Sequence, residues 1–431
     1  MEETPSTTGT EFRDPHRWMV FAVCCLVYFF VYFHRVSTSV IAPDLLRDFD
    51  IGATALGFMS SMYFYLYAFE QPVVGYLADR LGPRRVIGYW SLAAAAGCLL
   101  FAAAPNIGWA SAGRALIGLG VGGVYVPAIA AFSLWFRPGE FSSMLGLLMA
   151  TGNFGAVIAT TPLAWAASSW GWRPTFLLIG AITLLLAFVT LRCTRDAQPR
   201  VGTEKVVQEE RGRKAPSGMR VFRILFSGQF WVIGIGFFGL YGIVLTLQGL
   251  WATPFLMTAF GIDRIRASQL NMMIPIGVII GAPLLGWIAD HFFLNKRNTL
   301  LAILFLYTLT WAALAYGFAV LGLFGTAADL LVMGATTGGF ISLIWGIVRE
   351  TTSQEEMGLK SGLLNPLPFL GVAFFQVVTG AILDRSAAAG ESYPLSGYAQ
   401  AFTVCLLVAA ACLVLSVFIR SDRRLSGSGS D

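Results

Sequence analysis

Charge is what this 431-residue chain has least of. Charged residues make up 12% of it, against about 25% in soluble domains. Histidine occurs three times and cysteine six times. Cys24, Cys25, Cys98, Cys193, Cys405 and Cys412 show neither metal-ligand spacing nor pairing across a loop, so they read as packing residues. No catalytic triad, metal cluster or phosphate-binding loop is present, which leaves an enzyme, a cofactor or a metal centre without support. The first apolar run follows a polar tail, contains an arginine and has no small-residue cleavage site, so it does not read as a cleaved signal peptide.

What is abundant is apolar sequence, at 56% of residues. Twelve stretches are long enough to cross about 30 Å of hydrocarbon. Six lie near 18–41, 55–78, 86–104, 107–136, 143–167 and 174–192. Six more lie near 229–255, 267–289, 299–319, 324–348, 359–384 and 398–420. The fold class expected is all-α: a polytopic membrane protein of twelve transmembrane helices in two pseudo-symmetric six-helix bundles. Lys and Arg placement sets the orientation. With a cytosolic N-terminus, 22 of the 29 fall on the cytosolic side, five on the other (Arg47, Arg173, Arg264, Arg266, Arg385), and Arg35 and Arg114 lie inside spans. Both termini are therefore expected to be cytosolic, in a bacterial inner membrane. The net charge of +5 follows from topology and implies no nucleic-acid partner. The expected organisation is a disordered tail 1–17, a first bundle 18–192, a charged linker 193–228, a second bundle 229–420 and a tail 421–431, acting as a monomer.

The chain repeats itself. Gly75-Tyr76-Leu77-Ala78-Asp79-Arg80 recurs in worn form as Gly286-Trp287-Ile288-Ala289-Asp290, an offset of 211 residues. Asn153 is echoed by Asn365, and Gly118–Gly123 by Gly334–Gly339, at similar offsets. In folds duplicated this way the solute site lies near the bilayer midplane between the halves. The Gly75–Arg85 loop resembles the signature between the second and third helices of major facilitator superfamily transporters. Gly113-Arg114-Ala115-Leu116-Ile117-Gly118 resembles the fourth-helix motif of the same superfamily. The resemblance implies that Gly75, Asp79, Arg80, Arg84 and Arg85, with the eroded Gly286 and Asp290, form a conformational latch. Gly75 and Gly82 are expected to permit close approach and a tight turn.

An ionisable side chain inside a span costs at least about 2.5–3.5 kcal/mol on insertion scales, so each marks a functional candidate. Arg35, Glu70 and Arg114 qualify, all in the first half, with His34 beside Arg35. Their sum is +1, which favours a monovalent anion. An arginine fork suits a carboxylate through two parallel hydrogen bonds. Helical spacing adds Tyr32 to the face of Arg35 and Tyr67 to that of Glu70. Tyr241, Gln248, Asn271 and Asn365 are the neutral candidates of the second half. Arg35 with the tyrosines is read as the substrate site. Glu70, His34 and Arg114 are read as the proton-coupling group, with substrate at Arg35 freeing Glu70 to take a proton.

Tyr32-Phe33-His34-Arg35 also resembles the first-helix segment of the anion:cation symporter branch, which transports organic anions. That branch has a fourth-helix Glu five residues before a Pro, and counting back from Pro127 gives Gly122, so the acid is missing here. The seventh span lacks the arginine of organophosphate antiporters. Gln71 stands where nitrate transporters carry their second-helix arginine, the eighth span offers Asn271 and no arginine, and the fifth span lacks the drug/proton antiporter glycine-proline pattern. The expected function is secondary transport of a small organic anion, a monocarboxylate, with proton symport. The alternative is a proton-driven exporter of drugs or chelating metabolites.

Overall fold

The computed structural model describes residues 15–196, 218–291, 296–387 and 393–419. The expected tails lie outside this set except for residues 15–17, and so does most of the expected linker. All regular structure among the described residues is helical. The spanning rods are α1 (His16–Phe49), α2 (Ala53–Leu81), α3 (Pro83–Ala102), α4 (Ile107–Trp135), α5 (Gly139–Trp170) and α6 (Trp172–Cys193). A short helix, Gly218–Leu225, precedes the second set. That set is α7 (Gly228–Phe260), α8 (Arg264–Ala289), α9 (Lys296–Ala312), α10 (Phe318–Glu350), α11 (Glu356–Ser386) and α12 (Leu395–Ser416).

Residues Lys296–Glu350 form one apolar run of 55 residues. At 1.5 Å per residue a straight helix of that length would reach about 80 Å, far beyond a bilayer. The chain turns back at Gly322, whose φ of +62° and ψ of −169° are open only to glycine. A π turn at Ala313–Gly317 extends α9 just before this bend. Twelve crossings result, the fold of two six-helix bundles.

The rods differ from the hydropathy spans chiefly at α1. The apolar run ends near residue 41, but the helix continues past Pro43 to Phe49. This carries Asp44 and Asp48 onto helix, at the end of the bundle away from the termini, here called the outer end. There the halves are joined by several polar contacts. Arg264 holds Asp44 in a two-pronged ion pair, both contacts 2.7 Å. Asp384, near the end of α11, accepts hydrogen bonds from Ala53 N (2.7 Å) and Thr54 N (2.8 Å) at the start of α2. Deeper, the Ser39 and Thr253 hydroxyls meet at 3.2 Å. Between these contacts α2 and α11 pack backbone to backbone, and Gly57 rests on the Gln376 carbonyl with no room for a Cβ.

At the other end the repeated glycines are not crowded. The nearest atom to a Cβ on Gly75 would be Val126 Cγ1, 4.0 Å away, and a Cβ on Gly286 would meet nothing within 4 Å. Among the described residues, the close approach expected of Gly75 is therefore not made in this conformation. Gly82 does make the tight turn, at φ +84°. Arg84 beside it donates to the Leu191 carbonyl, and its amide donates to Asp196 (2.9 Å), which ties α3 to the end of α6 within one half. Arg80 lies 4.6 Å over the Tyr76 ring, and Arg85 is exposed. Asp79 is exposed at the same end, while Asp290's side chain lies outside the described set.

Candidate functional site

The backbones of α1 and α7 cross at Arg35. A Cβ on Gly249 would lie 2.6 Å from the Arg35 carbonyl oxygen, so only glycine allows the crossing. Around that crossing α7 is not a regular α-helix. Two π turns, Phe237–Tyr241 and Leu247–Trp251, interrupt it. Such turns leave backbone carbonyls without their usual partners and recur at functional sites. Asn271 answers one of them by donating Nδ2 to the Gln248 carbonyl at 3.0 Å. Asn271 thus braces the wall from behind.

Below the crossing lies a cavity of about 280 Å³ between the halves. That sits just under the roughly 300–1,000 Å³ of typical small-molecule pockets and suits a small solute. The first half supplies Tyr32, Arg35, Met149 and Asn153, and the second half supplies Tyr241, Gln248, Thr337 and Ser342. Aliphatic side chains such as Val244, Ile274, Val278 and Ile341 fill the rest of the wall. Among the described residues Arg35 is the only charged one lining it. It is 3% exposed, its Nε is buried without a partner, and among the described residues no carboxylate lies within ion-pair distance of it. Its guanidinium carbon lies 4.4 Å from the Tyr32 ring centre, 5.0 Å from Tyr67 and 4.9 Å from Phe369.

The candidates thus separate into two groups. Tyr32, Arg35, Tyr241 and Gln248 line the cavity, and Tyr67 packs on Arg35. His34, Glu70 and Arg114 do not line it. His34 is fully buried inside the first half, its Nε2 3.6 Å from Cys98 Sγ. Both terminal nitrogens of Arg114 donate to the His34 carbonyl (3.2 Å), and the guanidinium lies 5.0 Å over the Tyr63 ring. Arg114 thereby braces α4 against α1 rather than facing a solute. Glu70 accepts from Trp90 Nε1 at 2.8 Å, and among the described residues it has no ion pair with Arg35 or Arg114. Its other oxygen, Oε1, is buried without a partner and presses into the notch left by Gly122, where a Cβ could not fit. The cavity's charge of +1 therefore comes from Arg35 alone and not from the expected three-residue sum. Asn365 joins the halves by donating to Gln71 Oε1 at 3.4 Å.

Several residues escaped the sequence reading. Asn153 was visible only as a repeat marker, and Thr337 and Ser342 carry no signal beyond their polarity. The intramembrane charges are not confined to the first half. Asp329 lies in α10, seven residues past Gly322, with Oδ2 buried and unpartnered. One carboxylate near the end of a long apolar run is hidden by its neighbours' hydropathy.

The family model described as Major Facilitator Superfamily matches residues 24–375. The probable sulfoacetate transporter SauU of Cupriavidus necator is 24% identical over 89% of this chain and 91% of its own. The hexuronate transporter of Escherichia coli K12 is 24% identical over 85% of this chain and 88% of its own. Among solved structures, a bacterial homologue of the human lysosomal transporter Spinster, inward-facing and unoccupied, superposes with a TM-score of 0.76 at 16% identity, covering 94% of this chain and 96% of its own. Relatives that carry organic anions fit the branch that the first helix resembles. With the fold, the cavity between the halves and a family match over most of its length, this chain belongs to the Major Facilitator Superfamily of membrane transporters.

Proposed function

We propose that this transporter carries a small organic monocarboxylate together with protons by alternating access, with both termini in the bacterial cytosol and the present state open toward them. One observation carries the reading. Among the described residues the cavity has a single charged lining residue, the buried Arg35, and no carboxylate that pairs with it. A desolvated guanidinium without a counter-ion is costly, and an entering carboxylate supplies what is missing. Tyr241, Gln248 and Asn153 then offer neutral donors and acceptors to the rest of the solute, and the aliphatic wall excludes water. The sulfoacetate and hexuronate named for the relatives are organic anions, which supports the class without fixing the member. The conformational latch at Gly75, Asp79, Arg80, Arg84, Arg85, Gly286 and Asp290 and the division into two bundles are part of the same proposal.

The test is thermal stabilisation of the purified protein by the monoanions glucuronate, gluconate and lactate and by the dianion sulfoacetate, against uncharged sugars and lipophilic cations. Stabilisation by monocarboxylates supports the reading; stabilisation only by lipophilic cations overturns it. The second outcome would favour the exporter of drugs or chelating metabolites, for which the aliphatic wall is the supporting feature.

Glu70 is proposed as the proton site. Its carboxylate occupies the notch beside Gly122, where the anion:cation symporter branch carries its fourth-helix acid, so α2 supplies the acid that α4 lacks. Coupling then runs along α2, since Glu70 follows Tyr67 by three residues and Tyr67 packs on Arg35. Glu70→Gln keeps the Trp90 hydrogen bond and removes the titration. Uptake in proteoliposomes should lose its acceleration by an inward proton gradient and keep its exchange activity. Undiminished gradient dependence would rule Glu70 out as the coupling site.

A further inference from the structure

We infer that Phe369, contributed by the second half, is a positioning residue for Arg35: its ring completes a three-sided aromatic seat that holds the guanidinium while leaving its N–H edge to the solute. This deepens the proposed function and rests on Arg35 as the anion site.

Phe369 lies on α11 just after Pro366 and Pro368, and is 7% exposed. Its ring centre lies 4.5 Å from Tyr67 and 5.9 Å from Tyr241, the latter edge-on at 80°. Asn365, four residues earlier, ties this turn of α11 to Gln71 on α2. The ring is thus fixed on two sides and presents itself to Arg35 at 4.9 Å.

The physical case concerns what a ring can and cannot give a guanidinium. Within about 6 Å an aromatic quadrupole stabilises the cation, more so when both are desolvated. It accepts no strong in-plane hydrogen bond. Three rings therefore lower the cost of burying Arg35 without using its donors: Nε has no partner, and the terminal nitrogens are left to the Tyr63 and Tyr241 hydroxyls and to the solute. A carboxylate in the same position would hold the arginine equally well but would compete with the solute. Because Tyr32 and Tyr67 belong to the first half and Phe369 to the second, the seat is complete only when the halves meet at this level. The binding geometry of Arg35 is thereby made to depend on how α2 and α11 sit.

Three variants separate the π contribution from mere volume. Phe369→Leu fills similar space without a quadrupole, Phe369→Tyr keeps the quadrupole, and Arg35→Ala removes the site. The probe is whichever of glucuronate, gluconate, lactate and sulfoacetate stabilises the wild-type protein most. Phe369→Leu should weaken its binding about tenfold, and raise the uptake KM with Vmax kept within about twofold. Phe369→Tyr should stay within about threefold of wild type, and an uncharged amide analogue should show no difference among the Phe369 variants. Wild-type affinity in Phe369→Leu with binding lost in Arg35→Ala overturns this inference alone, as does rescue by Leu but not by Tyr. Binding that survives Arg35→Ala, or no binding by any of the four anions, overturns the monocarboxylate reading and this inference with it.

Discussion

Replacing Arg35 with alanine should abolish carboxylate recognition and leave the empty protein intact. Removing one partner of a buried, hydrogen-bonded charge pair costs at least about 2 kcal/mol, or about 30-fold in affinity, and several kcal/mol more where the site is dry. The empty protein should behave differently because, among the described residues, Arg35 has no carboxylate partner to abandon. Its loss removes a desolvated cation and three ring contacts, two effects of opposite sign, so the melting temperature without solute should stay within a few degrees of wild type. Arg35→Lys is the sharper control. It keeps the charge and loses the planar fork, so binding should be intermediate and discrimination between carboxylate and sulfonate reduced. Uptake assays alongside thermal unfolding with and without solute check both halves of the expectation. Undiminished uptake in Arg35→Ala would remove the basis of the anion reading.

The sequence foreshadowed Arg35 for a reason that applies to few other residues here. A charge inside an apolar run is expensive, so composition alone singles it out. The same logic reached Glu70 and Arg114 but could not say which way they face. Arg114 spends its donors on the His34 carbonyl and Glu70 on the Trp90 indole, and neither lines the cavity. The duplicated glycines located the two halves, and Tyr241 and Gln248 were legible as neutral polar candidates of the second half. The real path between those two residues runs through two π turns that no periodicity shows. Phe369 was illegible for a different reason. A phenylalanine in a membrane helix is unremarked, and its role depends on a residue more than 300 positions away in the other half. Asp44 and Asp384 drew no expectation from the sequence, because they lie at or beyond the ends of the apolar runs, where carboxylates are common. Their partners come from the opposite half, and pairing at that range has no local signature.

Asp384→Ala should open the outer seam. The N-terminus of α2 has no side-chain cap from its own half. Asp384 on α11 provides one from the other, accepting from the Ala53 and Thr54 amides and the Thr54 hydroxyl (2.5 Å), with Tyr393 donating at 3.0 Å. A carboxylate at a helix N-terminus satisfies orphan amides and meets the positive end of the helix dipole. Charge-assisted bonds of this kind contribute about 1.5–3 kcal/mol, and they exist only while the outer ends of the halves are together. Losing them should shift the ratio of outer-closed to outer-open molecules by about 10- to 100-fold. Ser60 reports the change: it is 1% exposed on α2, seven residues inward from Ala53. In a cysteine-free background, Ser60→Cys should react with a membrane-impermeant maleimide at least about tenfold faster when combined with Asp384→Ala. Arg264→Ala, which breaks the separate Asp44 pair, should act the same way, and the two effects should add if the clasps are independent. Reversing that pair as Asp44→Arg with Arg264→Asp should restore slow labelling, which separates a clasp between halves from general loosening. Equal labelling rates with and without Asp384→Ala would mean that the seam is held by the glycine-mediated packing of α2 on α11 and that the carboxylate is incidental to it.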